Sequence, residues 1–281
     1  MNILILGSTG FVGKKLASYF NKNYKVITCA RKPQNYISDI EIDIVFESLN
    51  SFDILDSIKN YKIDYIFYSL NSYYKNPNKR EVIEMNEVNF IYPIEILKIL
   101  NENNLKTKIL FFSSYFDHIS VSTESNEYAE SKKKLTQYLN KETSINCFKS
   151  LEISDTFGTW DFRNKIFNLI LKNVVKNKAI EIKNPEAIVN LVYINDLLRK
   201  IENFIFSDIK FDSFYSIYSI NLINLQKLIV SLYNREITET NDYFQYEKRL
   251  EVTNSTYGLN TIRDIQDVIF DEEYLEFLKN E

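Results

Sequence analysis

The chain has 281 residues, 45% of them hydrophobic and 26% charged, and carries a net charge of −4. Composition of this kind is that of an ordinary globular chain, long enough for one large α/β unit or two intimate lobes. Acidic and basic residues interspersed along a slightly acidic chain recommend neither nucleic acid nor an anionic membrane as partner. No apolar run approaches the ~18 residues that would cross a bilayer. Two cysteines, Cys29 and Cys147, and one histidine, His118, argue against a disulfide framework, a metal centre or a Ser-His-Asp triad. Both cysteines read as buried thiols of a reducing compartment. The opening "ILIL" is short for a signal-peptide core and lacks basic residues before it, so a cytoplasmic location is expected.

In chain order, apolar strand-like runs fall at Ile3–Leu6, Tyr24–Cys29, Ile40–Ile44, Tyr65–Tyr68, Lys108–Phe112 and Asn146–Ile153. Stretches with apolar residues three and four apart lie between them: Leu16/Tyr19/Phe20, Leu55/Ile58, Ile94/Leu97/Leu100 and Leu135/Tyr138/Leu139. Strands that are apolar throughout and alternate with helices predict a parallel, doubly wound sheet with its ligand at the carboxyl ends of the strands. Beyond Gly158 the pattern loosens. A helix is expected over Lys165–Lys176, a strand over Ile188–Ile194, and helices near Leu225–Tyr233 and Glu272–Lys279. Residues 1–156 therefore read as a dinucleotide-binding domain, with 188–220 returning to it, and 157–281 as a smaller α+β lobe.

Five glycines are present in all, and three of them, Gly7, Gly10 and Gly13, fall within seven positions after the first strand. A strand, the loop "GSTGFVG" and a helix form a place where bare backbone approaches phosphates and a helix N-terminus adds partial positive charge. Tyrosine is followed four residues later by lysine only at Tyr128 and Lys132, which puts phenol and ammonium on one helix face. An ammonium beside a phenol favours its ionisation and fits it for proton transfer.

GxxGxxG with Phe11–Val12 inside it, the Tyr128–Lys132 pair and the preceding Ser113–Ser114 resemble the extended, sugar-nucleotide branch of the short-chain dehydrogenase/reductase superfamily. "YAESKKKLTQYL" and "FGTWDFRNKIF" are similar to the CDP-paratose and CDP-abequose synthase type, which reduces 4-keto-6-deoxy sugar nucleotides. The resemblance implies a catalytic set of Ser114, Tyr128 and Lys132, with Ser114 favoured over Ser113 for the hydroxyl that bonds the substrate oxygen. It implies cofactor contacts from Gly7, Ser8, Thr9, Gly10, Phe11, Val12 and Gly13, from Asp43 and Ile44, and from Ser69, Leu70 and Asn71. Asn89, Tyr128, Lys132 and Ile153 complete that set. For the substrate it implies Ser113, Ser114, His118, Asp155, Arg163 and Lys165, with Trp160 nearby, while Asp196 in "LVYINDLL" reads as a helix cap.

At the end of the second strand the acidic residue that suits NAD is replaced by Ala30, followed by Arg31 and Lys32. Those cations suit a 2′-phosphate, so NADP(H) is expected over NAD. The favoured activity is NADPH-dependent 4-ketoreduction of a nucleotide-activated 4-keto-6-deoxy sugar. An NAD(P)-dependent epimerase and a non-catalytic NADP(H)-sensing protein are the alternatives. A 4,6-dehydratase is least supported, because Tyr115–Phe116 stand where it would need an acidic pair. The apolar faces at Ile91–Leu100 and Leu135–Leu139 suit either a homodimer interface or core.

Overall fold

The computed structural model describes residues 1–31, 41–48, 53–115, 126–142, 145–179, 181–216, 218–234, 245–246, 256–257 and 261–280. Its elements begin with β1 (Asn2–Leu6), α1 (Phe11–Phe20), β2 (Lys25–Arg31), β3 (Ile44–Phe46), α2 (Ile54–Tyr61) and β4 (Tyr65–Tyr68). Next come α3 (Lys79–Asn86), a π-helical turn (Glu87–Ile91), α4 (Tyr92–Glu102), β5 (Lys108–Ser114), α5 (Glu127–Lys141) and β6 (Phe148–Ile153). They are followed by β7 (Asp155–Phe157), α6 (Ile166–Val175), β8 (Ile188–Val189), β9 (Leu191–Tyr193), α7 (Ile194–Phe206) and β10 (Phe211–Ser216). The chain closes with β11 (Tyr218–Asn221), α8 (Leu222–Tyr233), β12 (Gln245–Tyr246), β13 (Thr256–Tyr257), α9 (Thr261–Ile269) and α10 (Glu272–Asn280).

Two compact units share these elements. The first takes residues 1–152 and 202–212, the second 153–201 and 213–281. The main sheet has eight strands in the order β13-β10-β6-β5-β4-β1-β2-β3 and, flanked by helices, makes the doubly wound parallel sheet that the apolar runs predict. Leu4 lies in register with Ile27 on one side and Ile66 on the other, and Ile66 with Ile109. All four are essentially inaccessible, as strands covered on both faces require, and each stabilises the fold by roughly 1.5–3 kcal/mol. Ile96, Leu97 and Leu100 of α4 and Leu135 and Leu139 of α5 belong to the same buried cluster.

The second unit has its own core, in which Phe157, Phe167, Ile170, Leu225, Leu228, Ile265 and Tyr274 are buried together. Here β7 pairs in parallel with β9, and β11 runs antiparallel to both β8 and β12.

Two expectations are corrected, and one helix was not expected. The strand expected over Ile40–Ile44 starts at Ile44 in its described part, because Asp43 is engaged with Thr28: the Thr28 N–H and hydroxyl meet Asp43 Oδ2 at 2.7 and 2.8 Å. The run Ile188–Ile194 is two short strands broken at Asn190, after which α7 begins. Asn190 is buried, and its side chain leaves the ladder to bond Ser154, the Ser216 backbone and Ser219. Helix α3 has no strong apolar period, and a capping box of Asn78 and Glu81 starts it instead.

Sterics at the β1–α1 turn explain two of the three clustered glycines. Gly7 has φ +86°, and a Cβ there would lie 2.9 Å from the Leu70 backbone nitrogen. A Cβ on Gly13 would fall 2.1 Å from the Gly7 carbonyl oxygen. Gly10 differs, since its nearest such contact is 3.5 Å and its φ is −73°. Gly13→Ala is therefore expected to lower stability by more than ~2 kcal/mol, and Gly10→Ala to change it by less than ~1 kcal/mol, as read by urea unfolding. Burial pushes the Cys29 thiol up to about 12 and raises Cys147 too. Iodoacetamide at pH 8 should add two labels to unfolded protein while leaving Cys29 of the native protein unmodified, as read by mass spectrometry.

Candidate active site

The glycine loop leads directly from β1 into α1. Gly7 and Ser8 both donate backbone N–H to the Cys29 carbonyl at 3.0 and 3.2 Å, and the buried Ser8 hydroxyl donates to the same oxygen at 3.1 Å. These bonds fix the loop to β2. Gly10 is the N-cap of α1, with no side-chain cap, and the first turn holds no acidic residue. Nothing in the fold demands glycine at position 10, where the backbone is exposed. A bare backbone at an uncapped helix start without carboxylates is a cradle for a diphosphate, so these residues fit a dinucleotide. Thr9, Phe11 and Val12 are half-buried along the same turn.

At the end of β2, Ala30 is buried and Arg31 exposed, its Nη1 3.6 Å from Glu84 Oε1 of α3. Asp43 holds β2 through Thr28, as above, and Ile44 lies in register with Cys29. After β4, Ser69 donates its hydroxyl to the Leu6 carbonyl at 2.7 Å, which holds Leu70 and Asn71 beside the glycine loop. Lys32 and His118 lie outside the described residues.

Helix α5 brings the tyrosine and lysine into place. Its N-cap is Asn126, whose side chain accepts from Ala129 N–H at 3.2 Å, and Glu127 and Glu130 favour the positive end of the helix. Lys132 is buried and donates from Nζ to the Phe112 carbonyl at 3.3 Å. That bond sets the helix against β5, which ends two residues later in the buried pair Ser113 and Ser114. Tyr128, one turn before Lys132, is half-buried, and the ring of Tyr73 meets it edge to face. Asn89, fully buried in the π-helical turn, bonds both Ser72 and Ser131.

In the second unit, Ile153 and Asp155 are half-buried at the β6–β7 junction. Lys165 pairs with Asp155 at 2.8 Å. Arg163 makes a two-pronged bridge to the buried Asp161, Nε to Oδ1 and Nη2 to Oδ2, both 2.7 Å, and Nη2 also reaches Thr156. Trp160 adopts φ +63° in this loop and packs on Tyr274 and Phe277. Asp196 is paired with Arg199 within α7. Among the described residues no group of three or more His, Cys, Asp or Glu is placed to hold a metal ion, and no helix is long and apolar enough to cross a membrane.

Sequence reasoning missed Asn126, Ser72, Tyr73 and Ser131. Asn126 carried a readable signal, an Asn with glutamates one and four residues after it at a helix start, whereas the others are defined by partners distant in the chain.

Residues 3–203 match the family model described as the NAD dependent epimerase/dehydratase family. Over 223 residues the chain is 25% identical to a CDP-abequose synthase from Yersinia pseudotuberculosis, covering 74% of each protein. Among solved structures it is similar to a UDP-glucose 4-epimerase from Thermotoga maritima, with a TM-score of 0.77 at 15% identity over 99% of both chains. It is also similar to a dTDP-glucose 4,6-dehydratase from Bacillus anthracis, with a TM-score of 0.72 at 15% identity over 99% of this chain and 100% of that one. At such identities the structural likeness is one of fold. With a model match over well more than half its length, the chain belongs to the NAD-dependent epimerase/dehydratase family.

Proposed function

We propose that this protein reduces the 4-keto group of a nucleotide-activated 4-keto-6-deoxy sugar with NADPH. The single observation that carries the reading is the seating of α5 on β5, where the Lys132–Phe112 bond sets the tyrosine–lysine pair against the strand that ends in Ser113 and Ser114. The 25% likeness to a CDP-abequose synthase supports a deoxysugar nucleotide as substrate.

When bound, the nicotinamide group supplies the hydride. The chain's own residues do the rest. The glycine loop and the start of α1 hold the diphosphate, and Arg31 takes the 2′-phosphate, its guanidinium exposed and only loosely paired with Glu84. Asp43, Ile44, Ser69, Leu70, Asn71 and Ile153 line the cofactor. Ser114, with Ser113 beside it, donates a hydrogen bond to the keto oxygen. Tyr128 then gives its proton to that oxygen, and Lys132 favours the resulting phenolate and holds the ribose. Asp155, Arg163 and Lys165 are the proposed substrate contacts of the second unit. Arg163 is held by Asp161 and Thr156 through Nε and Nη2.

The test is NADPH oxidation at 340 nm with the CDP-, dTDP-, UDP- and GDP-linked 4-keto-6-deoxyhexoses. One NADP⁺ should form per sugar reduced, and Tyr128→Phe should lower kcat at least ~100-fold, within the usual range for loss of a general acid. Arg31→Ala should weaken NADPH binding about tenfold and leave NADH within twofold. Retained NAD with sugar isomerised and no NADPH consumed would establish the epimerase instead. Full biological activity of Tyr128→Phe would point to a cofactor sensor.

A further inference from the structure

Tyr73 has no place in the chemistry above, yet it stands against the proposed proton donor. Its ring and that of Tyr128 have centroids 5.3 Å apart and planes at 88°. Two flexible side chains from distant segments do not keep such a contact unaided, and here both segments are tied to one residue. Ser72, immediately before Tyr73, is buried, and both of its backbone groups go to the Asn89 side chain. Its N–H donates to Asn89 Oδ1 at 3.0 Å, and its carbonyl accepts from Asn89 Nδ2 at 2.8 Å. The other amide hydrogen of Asn89 points to Ser131 Oγ at 3.0 Å, and the Ser131 hydroxyl donates to the Tyr128 carbonyl at 2.7 Å.

The contacts close a circuit: Asn89 to Ser72, along the chain to Tyr73, across the ring contact to Tyr128, and back through Ser131. Every hydrogen-bonding position of the Asn89 amide group but one acceptor lone pair is used in it. Asn89 is wholly inaccessible and sits in a π-helical turn, a local insertion that re-aims side chains without ending a helix. Tyr73 itself is 60% exposed, so burial of its own surface is not what holds it there.

We infer that Tyr73 is a positioning residue for the Tyr128 ring, with Asn89 as the anchor that holds both sides of the contact. The inference rests on the reading of Tyr128 as proton donor. Proton transfer needs the phenol oxygen within ~2.6–3.2 Å of its acceptor, and an edge-to-face neighbour removes ring orientations that would miss it. The planar ring of Tyr73 does this, and its hydroxyl does not.

The test uses full-length protein carrying ring-labelled [¹³C]tyrosine, with the Tyr128 resonance identified by its loss in Tyr128→Phe. Tyr73→Phe should leave that resonance in place. Tyr73→Ala should move it by removing the ring current, and Ser131→Ala should move it by releasing the helix side of the circuit. In the NADPH assay Tyr73→Ala should lower kcat about fivefold, the usual worth of an aromatic pair, with the KM for NADPH within twofold, and Tyr73→Phe should restore it. An unmoved Tyr128 resonance in Tyr73→Ala overturns the inference, as does a kcat loss that phenylalanine does not restore. Should the wild type oxidise no NADPH with any of the four nucleotide sugars, the functional reading fails, and the resonance still decides whether Tyr73 sets the Tyr128 ring.

Discussion

The close approach of Gly13 to Gly7 is the constraint from which the rest of the first unit follows. Because a Cβ at position 13 would lie 2.1 Å from the Gly7 carbonyl oxygen, α1 can start almost on top of the end of β1 only if that side chain is absent. The short turn keeps the start of α1 at the carboxyl edge of the sheet, next to Ser69 at the end of β4 and the Cys29 carbonyl at β2. Parallel strands all deliver their next loop to this same edge, so one tight turn at β1 fixes what every other loop must pack around.

That constraint was legible in the amino-acid sequence because its cause is local. Three glycines spaced by three after an apolar run have few explanations, and the fold and family they imply are borne out by the sheet order and the family model. The tyrosine–lysine pair was legible for the same reason, since helix geometry alone puts residues four apart on one face. Asn89 is different. Its partners lie 17 and 42 residues away, and no period or spacing in the chain announces them. The break at Asn190 is hidden likewise, for "IVNLVYI" reads as one strand until the Asn side chain is seen bonding Ser154 and Ser219 instead of pointing out of the sheet. Asp43, expected from the resemblance as a cofactor contact, proves to be a clamp between β2 and the start of β3.

Three lysines of the first unit and two cations of the second are held by different means. In the first, Lys132 donates to a strand carbonyl, and Lys149 and Lys210 likewise end on backbone carbonyls, Lys149 on Ser207 and Ile209, Lys210 on Glu142 and Ile145. Carbonyl oxygens solvate an ammonium without cancelling its charge. Burial accordingly lowers the pKa of Lys149 and Lys210 despite their good hydrogen bonds. In the second, Arg163 and Lys165 face Asp161 and Asp155 directly, and each charge is met by its opposite.

This difference governs what each cation can do for a ligand. A lysine held by neutral carbonyls, as Lys149 and Lys210 are, keeps its net charge and so its field on neighbouring groups. A guanidinium or ammonium already paired with carboxylate presents little net field, so an anionic ligand must either share it or displace the carboxylate. Displacing Asp155 from Lys165 exchanges one ion pair for another with little net change in buried charge, whereas freeing Arg163 would strand the fully buried Asp161 without its cation, at a cost of several kcal/mol. Of the two pairs, Lys165–Asp155 is thus the less costly to part, and Arg163–Asp161 the one that keeps the loop between β7 and α6 in shape.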